Sequence, residues 1–404
     1  MTSLASRCLP SPSLRKFTET ATRRSIIHDR PSYGFSGAGF LGCYHVGVAA
    51  ALRRQGRLPR PDEDDGSDDT TEKMPLLTGV SAGSMIAAAI VSGIDPEQDG
   101  MDIVLEATRR TRESNRKSMV PLDVLTPGFS LIDQVEGPFR DAMAKALGGY
   151  CEKDESNNIT THDIDPRLFQ RRFNNGSLRI GLTDRRTLFP ILNSYRYVDS
   201  FRCLEDVVAA CMLSSYIPGG TGPLNVKDNI PEFLGGLQSR PKNGSGTDAS
   251  DRAGTRLKDM TRLGMVKHGK NGVPSVLNEA VLATDKDQSI ECNDTENDVE
   301  PTYYWDGGLA DMFPTFDGNT IIVSPLNGLY NPNPAICPEM PQQDEFTFRH
   351  CPKSRLGLNF KNVRVLQRMA FSSDDDELHS RFREGYDDTR RFLKERGQLR
   401  VFSG

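Results

Sequence analysis

The 404-residue sequence has no cysteine pair of the C-x-x-C kind; its eight cysteines (Cys8, Cys43, Cys151, Cys203, Cys211, Cys292, Cys337 and Cys351) are scattered singly. That excludes a disulfide scaffold or a cysteine-built zinc site and points to free thiols in a reducing compartment. Positive charge is not in excess either. Fifty Lys and Arg stand against 55 Asp and Glu, giving a net charge of -5 and a pI of about 5.8, which argues against a dedicated nucleic-acid binder. Internal repeats are absent. The N-terminus, MTSLASRCLPSPSLRKFTETATRRSII, lacks the apolar core of a secretory signal. It carries Arg7, Arg15, Lys16, Arg23 and Arg24 against Glu19 amid Ser and Thr, a composition shared by organelle transit peptides and ordinary disordered termini. Long apolar runs are scarce. Residues 76–94, LLTGVSAGSMIAAAIVSGI, are long enough to be considered as a membrane span, but three Ser, one Thr and three Gly interrupt them. The acidic stretch PDEDDGSDDTTEK, residues 61–73, is not a calcium loop, because Pro61 and Glu63 occupy the first and third ligand positions.

Apolar residues make up 36% of the chain and charged residues 26%, with a mean hydropathy of -0.50, so a sizeable core is expected together with polar insertions. Periodicity and punctuation predict a strand at Ser32–Phe35, a glycine loop and a helix over Cys43–Gln55. A second strand at Leu76–Thr78 enters a turn at Gly79 and a helix over Ala82–Ser92. Amphipathic helices are expected at Met101–Lys117 and Leu131–Leu147, paired strands at Leu178–Thr183 and Leu188–Ser194, and a buried helix at Leu204–Leu213. Residues 238–300 are rich in Gly, Lys, Asp, Asn and Ser and read as a flexible polar insertion. Order resumes at TYYWDGGLADMFP and the strand TIIVSP. Two C-terminal helices follow from Phe360, with Val363, Val365, Leu366, Met369, Phe382, Phe392 and Leu393 expected to face inward. Strands alternating with helices imply an α/β fold with a covered sheet.

Gly37-Ala38-Gly39-Phe40-Leu41-Gly42 spells G-x-G-x-x-G. In a dinucleotide fold an acid about twenty residues on would end the second strand; here Asp62 falls in a loop before that strand begins. The strand that does follow ends in Gly79-Val80-Ser81-Ala82-Gly83, the G-x-S-x-G of a nucleophile elbow. Residues 76–94 are then a strand, elbow and helix rather than a membrane span. A serine nucleophile needs a base and donors for the oxyanion. The backbone N–H groups of Gly37, Ala38 and Gly39 are the candidate donors. His162, His268, His350 and His379 follow Ser81, none in a recognisable turn, whereas Asp306 precedes Gly307-Gly308 on a tight turn. A partly desolvated Asp306 serves as base in a Ser–Asp dyad; a Ser-His-Asp arrangement through His350 or His379 is the competing reading. His45 reads as a packed structural histidine, and Asp374-Asp375-Asp376-Glu377 as a helix N-terminus.

Glycine loop, G-x-S-x-G and D-G-G in this order resemble the patatin-like phospholipases. FSGAGFLGCYHVGVAAAL, TGVSAGSMIAAAIVSG, YIPGG, WDGGLADMFP, IIVSP, AICP and GYDDTRRFLKERGQL are similar to the branch containing the animal triglyceride lipases and adiponutrin. The resemblance implies a three-layer α/β/α sandwich around a central, mainly parallel sheet. It also implies hydrolysis of glycerolipid fatty-acid esters by Ser81 as nucleophile and Asp306 as base, with Gly37, Ala38 and Gly39 forming the oxyanion hole. Gly42, Gly79, Gly83, Gly307 and Gly308 support these turns. No cofactor and no metal is expected. The expected partner is a glycerolipid at a membrane or lipid-droplet surface, with no nucleic acid and with room for a protein co-activator. An intracellular, membrane-peripheral location is implied, with an organelle as the alternative read from the N-terminus.

On this reading the catalytic domain spans 31–235 and 301–350, between a transit-like or disordered 1–30 and the C-terminal helices of 352–404, and is interrupted by the 238–300 insertion. Leu41 stands where plant patatins have a basic residue. Met312 stands where the family often has Asn, which is expected to weaken the aspartate turn if that Asn braces it. The sequence runs to Gly404, just past the last matched helix, so the expectation does not include the hydrophobic droplet anchor of the animal lipases. A catalytically weak lipid-binding or regulatory protein and a glycerolipid transacylase are the alternative functions.

Overall fold

A computed structural model of the chain describes residues 31–59, 74–116, 131–153, 159–162, 164–173, 175–185, 194–201, 203–217, 221, 303–330, 333–339, 347–351, 354–357 and 359–399. The transit-like segment 1–30, the acidic stretch 61–73 and the insertion 238–300 lie outside the described residues.

Two strand–turn–helix units open the fold. Strand β1 (Ser32–Phe35) passes through a 3-10 turn at Gly39–Leu41 into α1 (Gly42–Arg54). Strand β2 (Leu76–Gly79) leads into α2 (Ala82–Ser92), which Gly93 ends in a left-handed conformation. Helices α3 (Met101–Arg116) and α4 (Leu131–Ala146) precede a hairpin, β3 (Tyr150–Lys153) and β4 (Ile159–His162), and then α5 (Pro166–Phe173). Next come β5 (Leu178–Arg185), β6 (Ser194–Val198), α6 (Leu204–Ser214), β7 (Tyr303–Asp306) and β8 (Ile321–Val323). Strands β9 (Gly328–Tyr330), β10 (Ala335–Ile336), β11 (Thr347–Cys351) and β12 (Ser354–Gly357) lead to helices α7 (Phe360–Ala370) and α8 (Asp375–Glu395).

The central sheet has seven strands in the order β10-β8-β1-β2-β5-β6, with β7 also paired to β5. Neighbours from β10 through β5 are parallel, while β6 and β7 run antiparallel to β5. With its flanking helices this is an α/β sandwich with a mixed, mostly parallel sheet. Apolar strand residues such as Phe35, Leu77, Ile180, Leu182 and Val198 are buried in one continuous core with Val48, Leu52, Val91, Val207 and Phe392 from the helices. A smaller cluster joins Ala38, Leu41, Ala82, Phe313, Ile322 and Val365 behind the glycine loop. The apolar run at 76–94 is divided between β2, the turn and α2, and no helix among the described residues is long and apolar enough to cross a membrane.

Helix α8 starts where the acidic run predicts. The Asp374 side chain accepts the Glu377 amide at 2.8 Å, and the acids of the first turn sit at the positive end of the helix dipole. It packs along α1, with the Tyr44 hydroxyl donating to Asp388 at 2.8 Å in a buried contact. None of Cys43, Cys203, Cys211 and Cys337 is in a disulfide.

Two expectations need correction. The strand paired with β5 occupies Ser194–Val198 rather than Leu188–Ser194, and residues 186–193 lie outside the described residues. In α7, Val365 is buried, but Val363 and Leu366 are 56% and 42% exposed rather than facing inward. Residues two apart on a helix point about 200° from each other, so Val363 and Val365 cannot share one buried face.

Candidate active site

Strand β2 delivers Ser81 into a backbone conformation of φ 53°, ψ -134°, and Ser81 is the non-glycine residue with positive φ among the described residues. A conformation of this kind costs about 1–3 kcal/mol and persists only where the surroundings enforce it. The enforcing contacts are close backbone approaches. A Cβ on Gly79 would run into the Gly83 carbonyl, and one on Gly83 into the carbonyl oxygens of Phe35 and Ser36. The Ser84 hydroxyl donates to the Ser81 carbonyl at 2.6 Å. The Ser81 amide donates to Ser214 Oγ at 3.0 Å, and Ser214 in turn donates to the Gly181 carbonyl at 2.6 Å. One fully buried hydroxyl thereby ties the elbow to α6 and β5.

Strand β5 also sets the position of Asp306. Its residues 180–184 pair with β6 on one edge, so β2 and β7 share the other edge and approach it from opposite directions. Gly79 lies opposite Ile180 and Asp306 opposite Leu182. The C-terminal ends of β2 and β7 therefore meet head to head, about 7 Å apart along the strand for a two-residue step. Asp306 is 3% exposed; its carboxylate accepts the Gly308 amide at 2.7 Å and lies close enough to the Ser81 hydroxyl for that hydroxyl to lower its pKa. Burial pushes its pKa up to about 6, and the nearby Ser81 hydroxyl and the Gly308 amide hold it from rising further. The turn is braced from both sides: the Asp306 amide donates to the Tyr216 carbonyl at 2.8 Å, and Thr183 Oγ1 donates to the Asp306 carbonyl at 2.6 Å while accepting the Ala310 amide at 3.0 Å.

The glycine loop lies against this pair. A Cβ on Gly37 would sit 3.6 Å from the Ser81 Cβ. The amides of Gly37, Ala38 and Gly39 have no acceptor among the described residues. Gly39 has φ 52°, and a Cβ there would strike the Met369 carbonyl of α7, so both conformation and space demand glycine. Ala38 is fully buried. Behind the loop His45 Nε2 donates to the Ser36 carbonyl at 2.9 Å. Burial drives the His45 pKa down to about 4, which keeps the ring neutral, and it packs edge-on against Phe35 and Tyr44.

Ser81 and Gly39 open on a cavity of about 100 Å³ between α2, α3, α4 and α6. Its walls include Met85, Ile86, Ile103, Val104, Phe139 and Met212, and no charged side chain lines it among the described residues. Such walls suit an alkyl chain and offer nothing to a charged ligand. No group of three or more His, Cys, Asp or Glu gathers to hold a metal ion among the described residues. The arrangement can deprotonate a serine, stabilise an oxyanion at free amides and store a hydrocarbon chain beside it.

The structure brings together Ser81, Asp306 and the Gly37–Gly39 loop, with Gly42 facing Ala82 at the start of α1 and Gly307-Gly308 forming the turn after Asp306. It does not bring in His379, which is exposed on α8 and bonded to its own Asp375 carbonyl. The side chains of His162 and His350, and all of His268, lie outside the described residues. Met312 packs at the edge of the cluster that holds Ala38, Leu41 and Phe313. Thr183 braces the turn after Asp306, and Asp311 accepts the Phe313 amide at 3.1 Å. Sequence reasoning missed Thr183, Ser214 and Tyr216. A paired serine, Ser214-Ser215, directly after the apolar run Val207–Leu213 is the one visible signal among them.

Fold and site together define an α/β protein with a serine on a strand–turn–helix elbow. The profile of the patatin-like phospholipases matches residues 35–239, and this chain belongs to the patatin-like phospholipase family. Patatin-like phospholipase domain-containing protein 2 of Homo sapiens is 30% identical over 369 residues, covering 90% of this chain and 48% of that protein. Its counterpart from Mus musculus is 22% identical, covering 90% and 50%. The 1-acylglycerol-3-phosphate O-acyltransferase PNPLA3 of Homo sapiens is 23% identical, covering 91% and 51%. The chain thus spans about half the length of the curated relatives it matches, and its family membership supports lipid hydrolysis at the level of the family.

Proposed function

We propose that this protein hydrolyses fatty-acid esters of glycerolipids through a Ser81–Asp306 dyad. The observation that carries the reading is the Ser81 hydroxyl beside a buried carboxylate of raised basicity, at the head of a cavity whose described walls are apolar. Asp306 takes the proton as Ser81 Oγ attacks the ester carbonyl, and the Gly37, Ala38 and Gly39 amides hold the oxyanion. The tetrahedral intermediate collapses, the alcohol leaves with the proton from Asp306, and the fatty acyl group remains esterified to Ser81 with its chain in the cavity. Asp306 then takes a proton from water, whose oxygen attacks the acyl-enzyme; the fatty acid departs and the proton returns to Ser81.

The same acyl-enzyme passes its acyl group to a second glycerolipid when a hydroxyl of that lipid replaces water, and the acyltransferase name of one relative favours keeping transacylation as the second reading. Labelling by a fluorophosphonate that disappears in Ser81→Ala tests the dyad. An unlabelled wild-type protein overturns it. Triacylglycerol, diacylglycerol and phosphatidylcholine assayed side by side, with free fatty acid and acylated acceptor both measured, distinguish substrate and acceptor.

A further inference from the structure

The large apolar side chains exposed among the described residues are Phe360, Val363 and Leu366, at 81%, 56% and 42%. Single exposed apolar side chains are ordinary, but these three share one helix at spacings of three residues, which aligns them in a stripe about 120° wide. The opposite face of α7 is fixed to the protein. Val365 and Asn362 are buried, and the Asn362 side chain accepts the Asn327 amide at 2.9 Å while donating to the Asn327 and Gly357 carbonyls. Packing therefore leaves the stripe outward on a rigidly held helix.

Charge says what meets it. The helix reads FKNVRVLQRMA, three cations and no acid. On a helical projection Arg364, Arg368 and Lys361 fall together along one border of the stripe. Lys361 reaches Glu384 at 3.1 Å and Arg368 reaches Glu377 at 3.5 Å, whereas Arg364 is exposed with no ion pair to a described residue. An apolar stripe bordered by long cationic side chains is the pattern of a helix lying in a phospholipid interface, its hydrocarbon entering the acyl boundary and its charges reaching phosphates. Position points the same way, since the Met369 carbonyl at the end of α7 packs against Gly39, which lines the cavity below Ser81.

We infer that α7 docks the protein on an anionic phospholipid surface through Phe360, Val363 and Leu366, with Arg364 on the headgroups beside Lys361 and Arg368, which are held by glutamates of α8. The purpose of docking, delivery of a glycerolipid ester to the neighbouring cavity, rests on the acyl-hydrolase reading; the binding itself is measured apart from it. Full-length protein is floated with vesicles of phosphatidylcholine and of phosphatidylcholine containing about one-third phosphatidylserine. Binding is expected to both, stronger to the anionic vesicles, and Phe360→Ser/Val363→Ser/Leu366→Ser is expected to lower it about tenfold or more. Arg364→Glu should remove the preference for phosphatidylserine. Both variants should keep wild-type turnover of a water-soluble short-chain ester; if wild type and variants alike fail on that ester while the vesicle results hold, the hydrolase reading falls and the docking stands. Phe360→Trp keeps the test independent of the triple variant's folding, because its emission should move to the blue on adding anionic vesicles. An unshifted emission, or a triple variant that floats like wild type, overturns the inference. A dimer that the triple substitution dissociates, in a protein that does not float, assigns the stripe to a second copy and overturns it as well.

Discussion

The β1–α1 and β2–α2 units are neighbours of the same construction: parallel strands in register from Ser32 opposite Leu76 to Phe35 opposite Gly79, each running through a glycine turn into a buried helix. They nevertheless present different chemistry. The second turn forces a side chain outward, holding Ser81 at positive φ over a helix that packs too closely for a Cβ at Gly79 or Gly83. The first presents bare backbone, and its amides at Gly37, Ala38 and Gly39 are left without acceptors among the described residues. One supersecondary pattern projects a hydroxyl when strain is concentrated on a side chain, and an array of uncovered N–H groups when small residues leave the backbone bare.

Breaking the second unit has the largest expected effect. Ser81→Ala should lower ester turnover by about 10³-fold or more and abolish fluorophosphonate labelling. Ser81→Gly should be equally inactive yet raise the thermal midpoint, since glycine adopts the φ of 53° without strain worth about 1 kcal/mol. Calorimetry beside the ester assay separates the two effects.

Asp306→Asn comes next, with a loss of about 10²–10⁴-fold in kcat. In the wild type, kcat/KM should fall tenfold per pH unit below about pH 6, where Asp306 becomes protonated. The stability linkage has the opposite sense to that of a salt-bridged carboxylate. Because burial raises the folded pKa above the unfolded value, stability is greatest below the unfolded pKa and declines as pH rises through about 6. Asn in its place should therefore stabilise the protein at pH 8, by on the order of 2 kcal/mol, and not at pH 4. Denaturant titrations at the two pH values read this out.

Damage to the first unit is expected to be smaller in chemistry and larger in folding. Gly39→Ala places a Cβ in the Met369 carbonyl at an unfavourable φ, and should cost about 1–3 kcal/mol of stability along with about 10²-fold in kcat as the donors shift. Ser214→Ala sharpens the comparison at its mildest. It leaves both turns intact but removes the acceptor of the Ser81 amide, with about a tenfold loss of kcat and about 1–2 kcal/mol of stability. Retention of wild-type kcat would show that the glycines alone hold the elbow.

Much of the site was legible because turns are local. Gly37–Gly42, Gly79–Gly83 and Asp306–Gly308 are short segments whose residue types follow from the backbone they must adopt, and the acids at 374–377 read as a helix start for the same reason. The braces were not legible. Thr183 lies 123 residues from Asp306 and Ser214 lies 133 from Ser81, and nothing in a threonine within a strand or a serine ending a helix names its distant partner. The outward stripe of α7 was misread as core because apolar content was counted without asking which of two opposed faces the fold would cover.

The sequence by itself determined the three turns, the alternation of strand and helix that makes an α/β sandwich, and the residue types able to act as nucleophile, base and amide donor. Only the tertiary structure decided that Ser81 and Asp306 meet, because that depends on β2 and β7 reaching the same edge of β5 two residues apart. It alone also set the basicity of Asp306, since a carboxylate's pKa follows from the water that distant segments exclude rather than from its neighbours in the chain.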